Sequence, residues 1–228
     1  EYLYCYGSSP TSSYGLTNQI TALDVSNNTA LKTLYCYSNQ LTTLDVSSNT
    51  ALEYLYCYGS SPTSSYGLTN QINELDISNN TALTNLRCSR NGLMALDVSS
   101  NTALTYIDCS YNNLGQSGLD LSNNTALDYL YCSGNSFTSL DLSNNSVLES
   151  LYLSSNDLQA LDVSNNPALR IFYGSGNDLT ALDVSNNPAL ETLALGSNDL
   201  QALDVSNNPA LTYIYCGYNN IEALDVSN

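Results

Sequence analysis

Thiols that recur at one position of a repeating pattern are the side chains in this chain best suited to nucleophilic, redox or metal chemistry. The chain has seven cysteines but no histidine to activate a thiol, and no two cysteines have the Cys-x-x-Cys spacing. Three other repeats carry Leu153, Gly174 or Leu195 at the same position. This pattern predicts buried free thiols that act as small hydrophobic side chains, rather than disulfides, a metal site or a nucleophile. The cysteines are Cys5, Cys36, Cys57, Cys88, Cys109, Cys132 and Cys216.

Carboxylates form a second recurrent set, because an aspartate follows the first leucine in ten near-copies of Leu-Asp-Val-Ser-Asn-Asn. Each aspartate lies between two inward apolar residues, so we expect an outward row of carboxylates with a spacing of about 5 Å. Such oxygen ligands suit calcium, whereas hydrogen bonds from neighbouring serines or turn amides, or simple solvation, are the alternatives. We predict no cofactor and no metal, with calcium as the alternative on Asp24, Asp45, Asp76 and Asp97.

The net charge and the repetition of the same side chains in every coil argue against several classes of function. Paired carboxylates could resemble the pair of a glycosidase, but the same pair recurs along the whole chain, whereas an active site is a unique arrangement. We therefore expect no enzymatic activity. The formal net charge is −17 with only four lysines and arginines, and phosphate binding needs clustered basic residues. No apolar run approaches the roughly 20 residues that span a bilayer, so we expect neither nucleic-acid binding nor membrane insertion.

A short repeat must position these side chains. Seven of the gaps between the leucines that open the copies are 21 residues long, one is 23 and one is 31. Such a period is typical of a solenoid, in which each coil buries its apolar side against its neighbours. Residues 1–228 are predicted to form one solenoid of about ten coils, uncapped and part of a longer chain, with loop inserts near residues 7–16 and 59–68. The leucines are Leu23, Leu44, Leu75, Leu96, Leu119, Leu140, Leu161, Leu182, Leu203 and Leu224.

Each coil contains Leu-x-x-Leu-x-Cys and Leu-x-x-Leu-x-Val segments, and each segment is followed by an asparagine three residues later. The alternation in Leu-x-Cys and Leu-x-Val predicts short strands, and no apolar stripe of helical period is long enough for a helix. The predicted fold class is a β-rich solenoid, with parallel strands on one side, extended or short β segments on the other, and essentially no long helices. The asparagine columns are predicted to form hydrogen-bond ladders with the backbone.

Tyrosine is concentrated beside the inward residues of the Leu-x-Cys strands. Fifteen of the 19 tyrosines fall in these outward columns, although the chain has two phenylalanines and no tryptophan. Tyrosine suits contact surfaces for proteins and sugars, and stacking between coils is its alternative role. Arg87 stands where tyrosine is missing and, with Arg90, is a candidate anchor for a carboxylate. The candidate ligand-binding residues are Tyr4, Tyr6, Tyr35, Tyr37, Tyr56, Tyr58, Arg87, Tyr106, Tyr129, Tyr131, Tyr152, Tyr173, Tyr213 and Tyr215, with Tyr14 and Tyr66 in the loops.

The pattern Leu31-x-x-Leu34-x-Cys36-x-x-Asn39-x-Leu41, followed by Thr-x-Leu-Asp-Val-Ser, resembles the bacterial cysteine-containing leucine-rich-repeat surface proteins, an internalin J-like family with 21-residue repeats. The resemblance implies a right-handed coil with the Leu-x-Cys strands on the concave side, and an extracellular or cell-surface location. The predicted function is a non-enzymatic binding or adhesion module, which recognises a protein or polysaccharide through the tyrosine-lined face and the two loops. A glycan-binding surface and a stalk or fibre that associates end to end are the alternatives.

Overall fold

Short parallel strands, stacked coil upon coil, define the fold. The computed structural model describes residues 1–7, 18–60 and 69–225. Within these ranges the regular elements are three-residue strands and one 3₁₀ turn at Leu114–Gln116, and no helix is long and apolar enough to cross a membrane. The strands are β1 (Tyr2–Tyr4), β2 (Thr33–Tyr35), β3 (Tyr54–Tyr56), β4 (Asn85–Arg87), β5 (Tyr106–Asp108), β6 (Tyr129–Tyr131), β7 (Ser150–Tyr152), β8 (Ile171–Tyr173), β9 (Thr192–Ala194), β10 (Ala202–Asp204), β11 (Tyr213–Tyr215) and β12 (Ala223–Asp225).

Ten of these strands form one parallel sheet in the order β1 to β9 and then β11. Equivalent residues of successive coils pair directly, as Leu34 does with Leu55. The backbone ladder continues beyond the strands, because the Cys36 amide donates to the Tyr56 carbonyl oxygen at 2.9 Å. This register turns every column of the repeat into a row of neighbouring side chains. The predicted fold class, a parallel-strand β-solenoid, is confirmed, with about nine turns.

The leucine, cysteine and valine columns meet in one continuous apolar core. In one coil, Leu31, Leu34, Cys36, Leu41 and Val46 are all almost completely buried. Full burial of a leucine or valine side chain contributes roughly 1.5–3 kcal/mol, and the core repeats this set along the solenoid. Each coil buries its apolar side only by contact with the adjacent coils. The free energy of unfolding is therefore approximately a sum over the interfaces between coils.

The Leu-Asp-Val segments form another wall of the core, which we call the aspartate wall. Leu96 and Val98 are buried there, whereas Asp97 between them is exposed. Only β10 and β12 pair as strands on this wall among the described residues, with Leu203 opposite Leu224. The predicted short β segments on this side are therefore present at β10 and β12, and no other strand is found in the described part of the wall.

Both asparagine columns form the predicted hydrogen-bond ladders. In the column that follows the cysteines, Asn39 Nδ2 donates to the carbonyl oxygens of Cys5 at 2.9 Å and Cys36 at 3.0 Å. In the second column, Asn49 Nδ2 donates to the Val25 carbonyl oxygen of the preceding coil at 3.0 Å. These side chains satisfy buried carbonyl groups at the turns, where the strand ladder is absent. Asparagine is therefore part of the scaffold at these two positions.

One coil departs from the regular period, and it is the coil with the 23-residue spacing. Its two extra residues are accommodated by the 3₁₀ turn and by Gly118, whose φ of +73° lies in the left-handed region that favours glycine. The Ser117 hydroxyl donates to the Met94 carbonyl oxygen of the preceding coil at 2.9 Å. This hydrogen bond fastens the irregular turn to the coil that carries Met94.

The two predicted loop inserts, near residues 7–16 and 59–68, lie almost entirely outside the described residues, and the candidate loop residues Tyr14 and Tyr66 lie outside them as well. The base of the second insert is described. There, the Ser60 amide donates to the Thr69 hydroxyl at 2.9 Å. This bond joins the residues at the two ends of the insert.

Candidate functional site

The outward residues of the ten-stranded sheet make up the surface that we call the tyrosine face. In β3, Leu55 is completely buried, whereas Tyr54 and Tyr56 flank it on the outward side. Successive side chains of a strand point to opposite faces, and burial of the leucine fixes which face the tyrosines take. The tyrosine face also includes the residue after each cysteine position, such as Tyr58 after Cys57.

Seven tyrosines and one arginine contact one another in a row across eight coils, which we call the central ladder. The contacts are stacked, except that Tyr4 meets Tyr35 edge-on. The ring centroids of Tyr35 and Tyr56 are 4.3 Å apart, as are those of Tyr131 and Tyr152, and both pairs are stacked. Aromatic pairs contribute roughly 0.5–1.5 kcal/mol beyond area burial, so the row stabilises the stacking of the coils. The central ladder consists of Tyr4, Tyr35, Tyr56, Arg87, Tyr106, Tyr131, Tyr152 and Tyr173.

Arg87 continues the central ladder through the β4 coil, which has no tyrosine. Its guanidinium carbon lies 4.8 Å from the ring centroid of Tyr56 and 4.5 Å from that of Tyr106. The aromatic quadrupoles on both sides attract the cation. Tyr106 comes from the neighbouring column, yet its ring centroid is 5.3 Å from that of Tyr131 and continues the stack. In the structure Arg87 is a stacked member of the ladder, and its predicted role as an anchor for a ligand carboxylate stays a prediction.

A second, shorter row lies beside the central ladder at the first three coils. The ring centroids of Tyr6 and Tyr37 are 4.7 Å apart, and those of Tyr37 and Tyr58 are 4.3 Å apart. Burial of the Tyr58 ring raises the pKa of its hydroxyl. In the next coil Ser89 takes this position, and the row ends.

The remaining predicted tyrosines lie outside the stacks or at their margin. Tyr129 meets the central ladder only through a tilted contact with Tyr106, at 5.9 Å between centroids. Tyr213 is 51% exposed. The ring of Tyr215 lies over Gly196, where any β-carbon would collide with it. The missing side chain at Gly196 therefore leaves room for the Tyr215 ring, which the sequence pattern did not reveal.

A polar patch interrupts the tyrosine face at β4 and β5, and it consists of Asn85, Arg87, Ser89 and Asp108. Asp108 accepts a hydrogen bond from the Ser89 hydroxyl at 2.9 Å. Asn85 Oδ1 and Arg87 Nε are buried without a hydrogen-bond partner among the described residues. The site predicted from sequence omitted Asn85 and Asp108, although both stand in tyrosine columns. The replacement of tyrosine in two adjacent coils was the signal that could have identified them.

Carboxylates of the aspartate wall accept hydrogen bonds from serines two residues later. The Ser26 amide donates to Asp24 Oδ1 at 2.9 Å, and Asp76 accepts from both the hydroxyl (2.7 Å) and the amide (2.9 Å) of Ser78. These serine hydroxyls, and then the amides, lower the pKa of both aspartates. Across the described residues, no three histidine, cysteine, aspartate or glutamate side chains converge as a metal site. The calcium row therefore stays a prediction.

The cysteine row consists of free thiols inside the core. Cys36, Cys57, Cys88, Cys109 and Cys132 are buried, whereas Cys5 and Cys216 in the outermost described coils are half-buried. Burial raises the pKa of Cys57 to about 12, which lowers the fraction of the nucleophilic thiolate further. The prediction that this column supplies small hydrophobic side chains is confirmed.

Known structures share this fold, although no protein-family model and no curated protein matches the chain. The functional domain of internalin J from Listeria monocytogenes, described as including a cysteine ladder, is 32% identical, with 99% of this chain and 55% of that chain covered and a TM-score of 0.68. A leucine-rich-repeat protein of Leptospira interrogans is 20% identical, with coverages of 91% and 60% and a TM-score of 0.73. A chain of the Drosophila Toll–Spatzle complex is 21% identical, with coverages of 87% and 28% and a TM-score of 0.69.

These similarities confirm the resemblance to bacterial cysteine-containing leucine-rich-repeat proteins: the chain is a leucine-rich-repeat solenoid whose structural neighbours include internalins. The Leptospira and Drosophila structures share the fold alone. The chain spans little more than half the length of the internalin J domain and of the Leptospira protein.

Proposed function

We propose that this chain is a non-enzymatic binding module of a secreted or cell-surface protein, and that it recognises a partner protein through the tyrosine face. The observation that carries the proposal is the central ladder. Its rings pack against one another from coil to coil, mostly face to face, so little side-chain entropy remains to be lost on binding. Tyrosine is enriched at protein interfaces because one side chain offers apolar area and a hydroxyl.

The structural neighbours support a binding role. The Toll–Spatzle structure is a complex, and its matched chain shares this solenoid fold. The functional domain of internalin J, described as including a cysteine ladder, matches 99% of this chain. The extracellular or cell-surface location is part of the same proposal and rests on the resemblance to bacterial surface proteins.

A neutral glycan is the second candidate ligand, and the polar patch favours it. Asn85, Arg87 and Asp108 supply donors and acceptors beside the rings of Tyr106 and Tyr129. A sugar hydroxyl both donates and accepts hydrogen bonds, so its recognition needs acceptors and donors, and sugar rings pack on aromatic faces. This arrangement occurs once in the described part of the sheet, so a glycan would bind at β4 to β6 rather than along the whole ladder.

The test uses the labelled chain as the probe on an array of extracellular proteins and on a glycan array. The Tyr56→Ala/Tyr131→Ala double variant should lose protein binding while keeping its circular dichroism spectrum. The matched control is Tyr111→Ala/Tyr218→Ala, because Tyr111 and Tyr218 are exposed tyrosines outside the central ladder. Binding only to glycans would favour the second candidate, and protein binding that survives the ladder variant would overturn the first.

End-to-end self-association is a separate prediction that the same samples can test. Light scattering of the isolated chain over a range of concentrations would reveal growing rods if coils stack between molecules. A monomer at all concentrations would exclude the stalk or fibre alternative for this chain.

A further inference from the structure

Met94 breaks the pattern of the aspartate wall. Its position lies just after a buried leucine, and other coils have Thr42, Asn73, Thr138 or Gln159 there. Met94 is 63% exposed and is the only methionine in the chain. A flexible, polarizable thioether is well suited to a surface that adapts to an apolar partner group.

A cavity of about 410 Å³ lies beside this side chain, between the segments 73–78 and 94–97. Leu75, Ile77, Ala95 and Met94 supply its apolar lining, and we call it the Met94 cavity. A volume of this order lies in the range of small-molecule and side-chain pockets. Elsewhere on the aspartate wall, a cavity of about 250 Å³ is lined by Leu23 and four aspartate or serine residues, so the apolar character belongs to the Met94 position.

The rim of the Met94 cavity is acidic. Glu74, Asp76 and Asp97 line it, and none of them forms an ion pair within the part of the chain that the structure describes. The three ion pairs of the described residues involve Lys32 and Arg170, which occupy a different column of the repeat from the residues of the Met94 cavity. Three unpaired carboxylates around a low-dielectric lining concentrate negative potential at its mouth.

A second cavity of about 390 Å³ adjoins Met94 on its other side and opens onto the irregular 3₁₀ turn. Asn113, Gln116 and Thr138 are among its lining residues, so it is polar where the Met94 cavity is apolar. Met94 is the wall that the two cavities share, and the Ser117 hydroxyl holds its backbone carbonyl at 2.9 Å. A peptide whose side chain occupies the Met94 cavity would therefore extend past Met94 into the second cavity. There the side-chain amides and hydroxyls could form hydrogen bonds with its backbone.

We propose that the Met94 cavity is a docking site for a basic segment of a partner polypeptide. An aliphatic side chain of that segment enters the cavity against Met94 and Leu75. Flanking lysine or arginine side chains pair with Glu74, Asp76 and Asp97. Charge complementarity selects this occupant, because the acidic rim repels acidic peptides, nucleic acids and anionic lipid surfaces. The site is on the aspartate wall and is independent of the function proposed for the tyrosine face.

The single methionine makes a direct test feasible. The chain is labelled with ¹³C at the methionine methyl group, and the Met94→Thr variant assigns the signal. Three synthetic peptides serve as probes: two leucines flanked by lysines and arginines, the same basic flanks around two serines, and two leucines flanked by glutamates. The first should shift the Met94 signal saturably. The second should bind at least tenfold more weakly, and the third should cause no shift.

Fluorescence polarisation with the first peptide then compares variants. Met94→Thr and Asp97→Asn should each weaken binding at least fivefold. Asp183→Asn is the matched control, because Asp183 stands in the same column and accepts the same hydrogen bond from its serine. It should bind like the wild type, as should Tyr56→Ala/Tyr131→Ala. If both basic peptides bind equally well, the aliphatic side chains do not contribute. If Asp97→Asn and Asp183→Asn weaken binding equally, the position of the carboxylate does not matter. Either result would mean that binding is general charge attraction and would overturn the proposal.

Discussion

The ring of Phe172 fills the space that a side chain at Gly174 would occupy. A β-carbon at Gly174 would lie 2.9 Å from Phe172 Cε2 and 3.3 Å from Leu195 Cδ2. Phe172 is fully buried in the leucine column, and Gly174 stands in the cysteine column. The larger side chain of Phe172 in the leucine column therefore compensates for the missing side chain of Gly174 in the cysteine column of the same coil. The volume of the core stays nearly constant.

This compensation predicts strong coupling between the two positions. Gly174→Cys should destabilise the chain by about 1–3 kcal/mol, because the added atoms overpack the core against the ring. Phe172→Leu should also destabilise it, because a smaller side chain leaves a cavity. The double variant restores the common leucine and cysteine pair and should recover most of the loss. Urea denaturation of all four proteins measures the coupling, and strictly additive losses would show that the two sites are independent.

Arg87 provides a second prediction, which concerns the central ladder. Arg87→Ala should lower the free energy of unfolding by about 1–2 kcal/mol, since two contacts between the cation and aromatic rings are lost. Arg87→Tyr removes the same charge but keeps a stacked group between Tyr56 and Tyr106, so it should unfold close to the wild type. Thermal and urea unfolding compare the two variants. Equal destabilisation by both would mean that the charge, rather than the stacking, matters at this position.

The repeat made most of the fold predictable, because one register assigned the repeated leucines, the cysteines and the two asparagine columns to inward or turn positions. The tyrosine columns followed from the same alternation. What the pattern could not predict are contacts between columns: the ring of Tyr106 that leans into the central ladder, Phe172 over Gly174, and Tyr215 over Gly196. Such contacts depend on side-chain direction and local volume, which spacing along the chain does not encode. The sequence shows that Met94 is the only methionine, but it does not show the cavity beside it, which is formed by two segments that are separated along the chain.

Thiol reactivity offers a third prediction. In the folded 228-residue chain, iodoacetamide near pH 8 should modify Cys5 and Cys216 first, because these two are half-buried whereas the other five are buried. The raised pKa of buried thiols such as Cys57 slows alkylation further, since the thiolate is the nucleophile. Mass spectrometry of peptides over time measures the order of labelling. All seven should react alike in denaturant, and early labelling of Cys88 in the folded chain would contradict the buried row.

Calcium is the subject of a fourth prediction. Carboxylates of the aspartate wall, such as Asp24 and Asp76, accept hydrogen bonds from their own serines, and these bonds compete with an ion for the carboxylate oxygens. We expect calcium and magnesium at equal millimolar concentration to change the melting temperature equally, through screening alone. Differential scanning fluorimetry is the measurement. Selective stabilisation by calcium that disappears in Asp76→Asn would instead support the calcium row.

Asp128 and Asp183 are predicted to respond to pH in opposite directions. Burial, and secondarily the charge of Glu149, raises the pKa of Asp128, and its Oδ1 is buried without a partner among the described residues. A raised pKa in the folded state means that the charged form is penalised. The penalty is absent below the unfolded pKa of about 3.9 and grows as the pH rises through the folded value.

Asp128→Asn should therefore be more stable than the wild type at pH 7, and the difference should vanish near pH 3. Asp183 is the control, because hydrogen bonds from the Ser185 hydroxyl and amide lower its pKa. Its charged form is favoured by folding, and this contribution is present at neutral pH and is lost as the pH falls through its folded pKa. Asp183→Asn should consequently give no gain at pH 7. Urea unfolding from pH 3 to pH 7 measures both, and a gain for Asp128→Asn that persists at pH 3 would point to packing rather than ionisation.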